Sequence, residues 1–235
     1  MDRRTKYSFI MRSKQKEFKE RVEYSKKIIK QCFERFDKPY VAFSGGKDSV
    51  AMLGLILEDY PDVHVENWSH GSYLMPPEYQ QEIVDNALLM GVKPENLHLG
   101  STEQLEHPDA RWDYMRWYRG MFGYLNKLIK EEKFDCAFIG LRMEESSARK
   151  WKARNPFNYT ADKNCPQCYP VHKWSWEDVW AYIVSNDLPY LHHYDLYAEY
   201  SGWDGTRICT FFDEEFQHKN GIDGILMSEH RNIKY

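Results

Sequence analysis

The sequence predicts an α/β fold of three layers, α/β/α, around a mostly parallel sheet, with a small C-terminal extension. Three observations carry this expectation. Short apolar runs at residues 40–43, 63–68, 92–99 and 134–139 have the length of buried strands, and the segments between them have the apolar spacing of helices. Strand–helix–strand alternation of this kind implies right-handed crossovers and a sheet covered on both faces. At 235 residues the chain suits one domain with a sizeable core.

Composition narrows the class. The formal net charge of -4 and the pI of about 6.2 argue against a protein that coats nucleic acid non-specifically, while leaving room for a local basic groove. No apolar run approaches membrane-spanning length, and Met1-Asp2-Arg3-Arg4-Thr5-Lys6 lacks the apolar core of a secretion signal. A cytoplasmic protein without membrane contact is expected. In a reducing compartment the five cysteines, at 32, 136, 165, 168 and 209, do not form a disulfide framework, so any close pair is a metal or redox candidate.

In chain order, residues 14–36 place Phe18, Val22, Ile28, Ile29, Cys32, Phe33 and Phe36 on a charged background, the pattern of one long amphipathic helix. The first strand, 40–43, breaks at Gly45 and Gly46 and resumes as a helix through Val50, Leu53, Ile56 and Leu57. A strand that feeds a helix through glycines leaves unpaired N–H groups and the positive end of the helix dipole facing one point, where an anion belongs. Lys47 adds a cation, and Ser44 and Ser49 add hydroxyl donors. Asp48 beside phosphates calls for a magnesium ion between them, so a nucleotide with Mg²⁺ is expected, Asp48 meeting the metal through the nucleotide.

The glycine spacing is neither the Walker pattern nor the dinucleotide fingerprint. All six positions of Ser44-Gly45-Gly46-Lys47-Asp48-Ser49 match the Ser-Gly-Gly-x-Asp-Ser PP-loop, and the chain resembles the ATP pyrophosphatase (adenine nucleotide α-hydrolase) superfamily. The resemblance implies a Rossmann-like nucleotide-binding domain over residues 38–200, between an N-terminal helix at 1–37 and a tail at 201–235. It also implies a loop that holds the pyrophosphate of ATP and a reaction at the α-phosphate, with Lys47, Asp48 and Arg142 as the catalytic set.

The second strand, 63–68, ends in Asn67-Trp68-Ser69-His70-Gly71, where Trp68 is either an adenine-stacking ring or core. Pro77-Glu78-Tyr79 then opens a helix to about residue 90 and is similar to the segment after the second strand of the phosphoadenosine phosphosulfate (PAPS) reductase branch, without that branch's Asp-Thr-Gly. After the third strand, Arg111, Trp112, Tyr114, Arg116, Trp117, Tyr118, Arg119, Phe122 and Tyr124 interleave arginine with aromatic rings. That run suits a nucleic-acid surface, a buried helix face or a subunit interface.

The fourth strand delivers Gly140, Arg142, Glu145, Ser146 and Arg149, which fill the second signature of the PAPS reductase branch, Gly-x-Arg-x-x-Glu-Ser-x-x-Arg. By that resemblance Arg142 and Arg149 bind phosphates or the sulfonucleotide, and Gly140 lets the nucleotide approach the backbone. Cys165-Pro166-Gln167-Cys168, His172 and the distant Cys209 are candidates for a zinc or iron–sulfur site, a redox dithiol or free thiols. Ser175 and Asp178 form a capping box ahead of an apolar helix, and Pro170, Trp174, residues 178–183, Leu188-Pro189-Tyr190 and Tyr194-Asp195 fit an architectural stretch of the same branch.

The reductases of this branch carry a nucleophilic cysteine in a C-terminal Glu-Cys-Gly-x-His stretch, which this chain lacks, and their loop is typically degraded where this one is intact. The resemblance therefore implies an enzyme that adenylates an acceptor with release of pyrophosphate. In related proteins the activated acceptor takes sulfur from a cysteine desulfurase, in DNA phosphorothioation or tRNA thiolation. The alternatives are a PAPS reductase-like sulfonucleotide reductase with a relocated cysteine and a non-catalytic nucleotide-binding subunit, as a homo-oligomer or within a complex.

Overall fold

The computed structural model describes residues 1–69, 77–101, 114–160 and 165–206. A six-stranded sheet in the order β3-β2-β1-β4-β6-β5 is formed by β1 (Pro39–Ala42), β2 (His64–Ser69), β3 (Leu97–Ser101), β4 (Cys136–Ile139), β5 (Phe157–Asn158) and β6 (Gln167–Cys168). All neighbours are parallel except the edge pair β5–β6. The sheet is thus the mostly parallel one expected.

Helices cover it in the manner of a doubly wound fold. On one face Val41, Cys136, Phe138 and Cys168 pack against α2 (Lys16–Arg35), α3 (Lys47–Leu57), α4 (Pro77–Leu89) and α7 (Trp176–Ser185), through Ile29, Leu53, Ile83 and Val179 among others. On the other, Tyr40, Ala137 and Phe134 meet Leu128 of α5 (Tyr114–Glu132). The chain order β1–β2–β3 runs outward to one edge and β4 returns to the far side of β1, so the carboxyl ends of β1 and β4 lie side by side. That is where a ligand crevice belongs in such a sheet.

The amphipathic helix expected over residues 14–36 is α2, but the segment 1–37 as a whole holds two helices where one was expected. It forms α1 (Arg3–Ser13) and α2, broken at Lys14-Gln15. Asp2 caps α1 by accepting from the backbone N–H of Arg4 and Thr5. Phe9 is the buried residue of α1. It inserts among Trp176, Trp180 and Trp203, with ring centroids 6.2, 6.3 and 6.2 Å away. Arg12 and Arg21 close on the fully buried carboxylate of Asp178, which also completes the capping box with Ser175. Residues 1–37 therefore share the core of the α/β body. At the other end, α8 (His193–Gly205) runs across residue 201, the expected start of the tail, with a kink at Gly202. Two strands go beyond the sequence expectation: β5 and β6 have two residues each, too few for a period to be read. The third strand starts late because Pro94 opens a 3₁₀ turn ahead of it.

Candidate functional site

The phosphate-type loop lies between β1 and α3. Gly45 takes φ +74°, and a Cβ there would come within 2.5 Å of the Ile83 side chain, so the turn needs glycine on both counts. Ser49 Oγ donates to Gly46 O at 2.8 Å and lies 3.2 Å from Ser44 Oγ, which in turn accepts from Gly46 N at 3.3 Å. These bonds fold the loop back over the first turn of α3. Phe43 is held from the side: its N–H donates to Glu66 O at 2.8 Å, and its carbonyl accepts from Asn67 Nδ2 at 2.8 Å.

The loop after β4 rests directly on that turn. A Cβ at Gly140 would meet Ser49 N at 2.9 Å and the Asp48 carbonyl at 3.0 Å, so backbone touches backbone across the two strand ends. The contact sets Arg142 over the loop, where Nε donates to Asp48 Oδ1 at 2.6 Å and Nη1 to Glu144 Oε2 at 2.5 Å. Glu145 accepts from Arg142 N at 3.0 Å and pairs with Arg149, while Ser146 caps α6 (Ser147–Lys152) by accepting from Arg149 N. Glu144 also accepts from Trp176 N at 2.7 Å, tying the loop to α7.

The result is a balanced charge cluster of Lys47, Arg142 and Arg149 against Asp48, Glu144 and Glu145. Lys47 and Arg142 are each 4% exposed. Burial opposes charge on Asp48, yet Lys47 and Arg142 outweigh it and hold the carboxyl below the usual carboxylate range. Burial opposes charge on Arg142 as well, and Asp48 and Glu145 prevail there in the same way. Both partners are ionised. An ionised, partly accessible carboxylate on the first turn of α3 fits a hard cation such as Mg²⁺.

Sequence reasoning missed the supports contributed from α8 and its C-cap residue, Thr206. Tyr194 Oη accepts the backbone N–H of Lys47 at 2.9 Å, and Lys47 Nζ donates to Thr206 O at 2.9 Å. His193 is buried beside them, packed on Tyr79 and Tyr194, and neither ring nitrogen has a hydrogen-bond partner among the described residues. Burial, then His192 and Lys47, lowers its pKa to about 3, so the ring is neutral. Tyr194-Asp195 is legible in the sequence only as architecture; nothing local links it to a lysine in another element.

Other expected residues lie elsewhere. Trp68 is 8% exposed and packs on Tyr124 at 5.3 Å, beside Gly100, so its ring is a core contact and not an open stacking face. The cysteine–histidine set does not converge. Cys168 belongs to the cluster of Cys32 and Cys136, whereas Cys165 belongs to the cluster of Tyr40, Phe134 and Ala137 on the opposite sheet face. His172 is buried, with Nδ1 within 2.7 Å of Ala153 O. The reason is that residues 167–168 form β6, and positions three apart along an extended chain point to opposite faces. Among the described residues the placement of these donors, not their chemistry, is what does not fit a zinc or iron–sulfur centre; Cys209 lies outside them. Arg111 and Trp112 also lie outside them, and Tyr114 opens α5. Among the described residues no helix is long and apolar enough to cross a membrane.

Comparison with known proteins places this geometry in a family. The profile of the phosphoadenosine phosphosulfate reductase domain matches residues 38–200. Sulfate adenylyltransferase subunit 2 of Shewanella pealeana is 26% identical over 190 residues, which cover 68% of this chain and 61% of that protein. The corresponding subunit of Colwellia psychrerythraea is 26% identical over 230 residues, covering 82% and 75%. The chain thus spans about three-fifths of the length of the first of these relatives. Among solved structures, the PAPS reductase of Candida auris in a phosphate complex superposes with a TM-score of 0.58 at 17% identity, over 73% of this chain and 84% of that one. FMN adenylyltransferase of Candida glabrata, in complex with FAD and inorganic pyrophosphate, gives 0.58 at 13% identity, over 81% and 66%. At these identities the two structures speak for the fold. The family profile covers both strand-end loops, and the chain belongs to the phosphoadenosine phosphosulfate reductase domain family.

Proposed function

We propose that the chain is an ATP-using enzyme that transfers the adenylyl group to an acceptor and releases pyrophosphate. The single observation that carries this reading is the backbone contact of Gly140 with the first turn of α3, which joins an intact Ser44–Ser49 loop to Arg142 and Arg149 in one crevice. The loop amides and the α3 dipole receive the outer phosphates. Lys47 exchanges the Thr206 carbonyl for the leaving pyrophosphate. Arg142 and Arg149 exchange their carboxylate partners for the oxygens of the α-phosphate, where charge is held in the transition state. An acceptor oxygen attacks the α-phosphorus in line as the bond to the pyrophosphate oxygen breaks, leaving an adenylylated acceptor. Mg²⁺ held through Asp48 would neutralise charge on the phosphates.

The names of the relatives favour sulfate as the acceptor and a partner subunit as part of the working enzyme. Activation of a nucleic acid for sulfur transfer from a cysteine desulfurase is the broader alternative. The solved U34-tRNA thiolase of Methanococcus maripaludis, which carries a 4Fe-4S cluster, shares the fold at a TM-score of 0.52 and 15% identity. The reductase alternative needs a reactive thiol. Cys32, Cys136, Cys165 and Cys168 are all buried, and burial raises the Cys168 thiol.

The test incubates the protein with Mg²⁺ and sulfate and either α-labelled ATP or PAPS, then separates the products. Pyrophosphate with adenylyl sulfate from ATP supports the proposal. Sulfite from PAPS overturns it in favour of a reductase. Tight ATP binding without either product assigns the chain to a nucleotide-binding subunit.

A further inference from the structure

A second cluster of ligand-type residues lies at the other edge of the sheet. His64 is the first residue of β2, His98 the second of β3, and Glu132 the last of α5. The phosphate loop leaves the carboxyl end of the parallel neighbour β1, so His64 stands at the amino edge, away from the nucleotide crevice. Glu66 is in register with His98, which puts His64, two residues earlier, on the same face as His98. That face is the one α5 covers.

Side chains converge there. His64 Nδ1 and His98 Nε2 are 2.9 Å apart, with ring centroids at 5.2 Å. One ligand atom from each of His64, His98 and Glu132 lies within 4.8 Å of the other two. Phe134 floors the cluster, 5.3 Å from the His64 ring and 5.5 Å from that of His98. Lys38 Nζ sits 2.9 Å from Glu132 Oε2.

The geometry points to a divalent transition-metal site of the zinc type, built from His64, His98 and Glu132. Two imidazole nitrogens and one carboxylate are the donors such a cation selects, and three protein ligands leave a fourth position to water. In tetrahedral coordination, with bonds of about 2.0–2.1 Å, two nitrogens stand about 3.3 Å apart. The pair must open by only a few tenths of an ångström from its present separation, with the donor imidazole moving the shared hydrogen to its other ring nitrogen so that both facing nitrogens present lone pairs. Lys38 engages Oε2 of Glu132, which leaves the other carboxylate oxygen to the ion. The ion ties β2, β3 and the end of α5 together, and the site is independent of the reaction proposed above.

The test uses untagged full-length protein, stripped with a chelator and dialysed, without nucleotide. Zn²⁺ is titrated calorimetrically, and Co²⁺ by its visible absorption. The expected result is one equivalent bound with a tetrahedral Co²⁺ spectrum, a Tm that rises with Zn²⁺, and affinity weakened by about 100-fold in His98→Ala. Glu132→Gln, at a partly exposed helix end, should fold normally and lose at least tenfold in affinity, since the loss of even an outer partner of a ligand costs about 10- to 100-fold. No binding in the parent, or the same stoichiometry and affinity in Glu132→Gln, overturns the site.

Discussion

Two loops of the sheet carry short runs of ligand-type residues, and they end in opposite surroundings. Residues 140–149 leave β4 at its carboxyl end, where the chain has no further ladder to make and Arg142 turns onto the first turn of α3. Cys165-Pro166-Gln167-Cys168 runs into β6, where Ala137 N donates to Pro166 O and the two thiols go to opposite faces. The lesson concerns placement: a motif acquires a site when it follows a strand, and becomes packing when it enters one.

The strongest way to break this comparison is Lys47→Ala, which should lower pyrophosphate release by about 100- to 1,000-fold with the fold intact. Unchanged turnover beside a native circular dichroism spectrum would remove the loop from the chemistry. Gly140→Ala comes next. Its Cβ would press on the backbone of Asp48 and Ser49, so a loss of about 1–3 kcal/mol in denaturant titration is expected, together with weaker ATP binding. Parental stability in Gly140→Ala would mean that the two strand ends are not in contact.

The cysteine side of the comparison is tested by Cys168→Ser. Placing a hydroxyl among Cys32, Cys136 and their apolar neighbours should cost about 1–3 kcal/mol and leave the metal content of the purified protein unchanged. A drop in bound zinc or iron would restore the metal reading. The last test is a slope with pH. Glu66 is buried under α5, its Oε1 has no partner among the described residues, and burial raises its pKa from 4.5 to about 8. Between those values the folded chain holds a proton that the unfolded chain releases, so stability falls as pH rises, by up to about 1.4 kcal/mol per pH unit. Glu66→Gln should flatten that part of the stability–pH profile, and an unaltered profile would contradict the assignment.

What is legible in the sequence is what the backbone decides locally. Gly45 and Gly46 between an apolar strand and an apolar helix specify a turn into a helix N-terminus, and Gly140 after an apolar strand marks the close backbone approach of the second loop. The capping box at Ser175 and Asp178 is equally local. What is not legible depends on distant pairing. Tyr194 and Thr206 reach Lys47 from 147 and 159 residues away. Helix α1 has one buried residue, Phe9, too little for a periodic signal, and its docking is decided by Trp176, Trp180 and Trp203 far along the chain. The cysteine spacing reads as a loop because the two-residue strand that separates the thiols is specified by its partner β4, not by its own side chains.

The central claim, that the two strand-end loops hold one nucleotide, is tested most directly by calorimetric titration of Mg²⁺–ATP into the parent, Lys47→Ala and Arg149→Ala. Arg149 is the useful probe because its side chain is 43% exposed and its removal should leave the core untouched. The account predicts that each variant binds ATP about 10- to 100-fold more weakly, the value of a charged hydrogen bond. Parental affinity in Arg149→Ala, with Lys47→Ala weakened, would contradict a shared site and confine the nucleotide to the first loop.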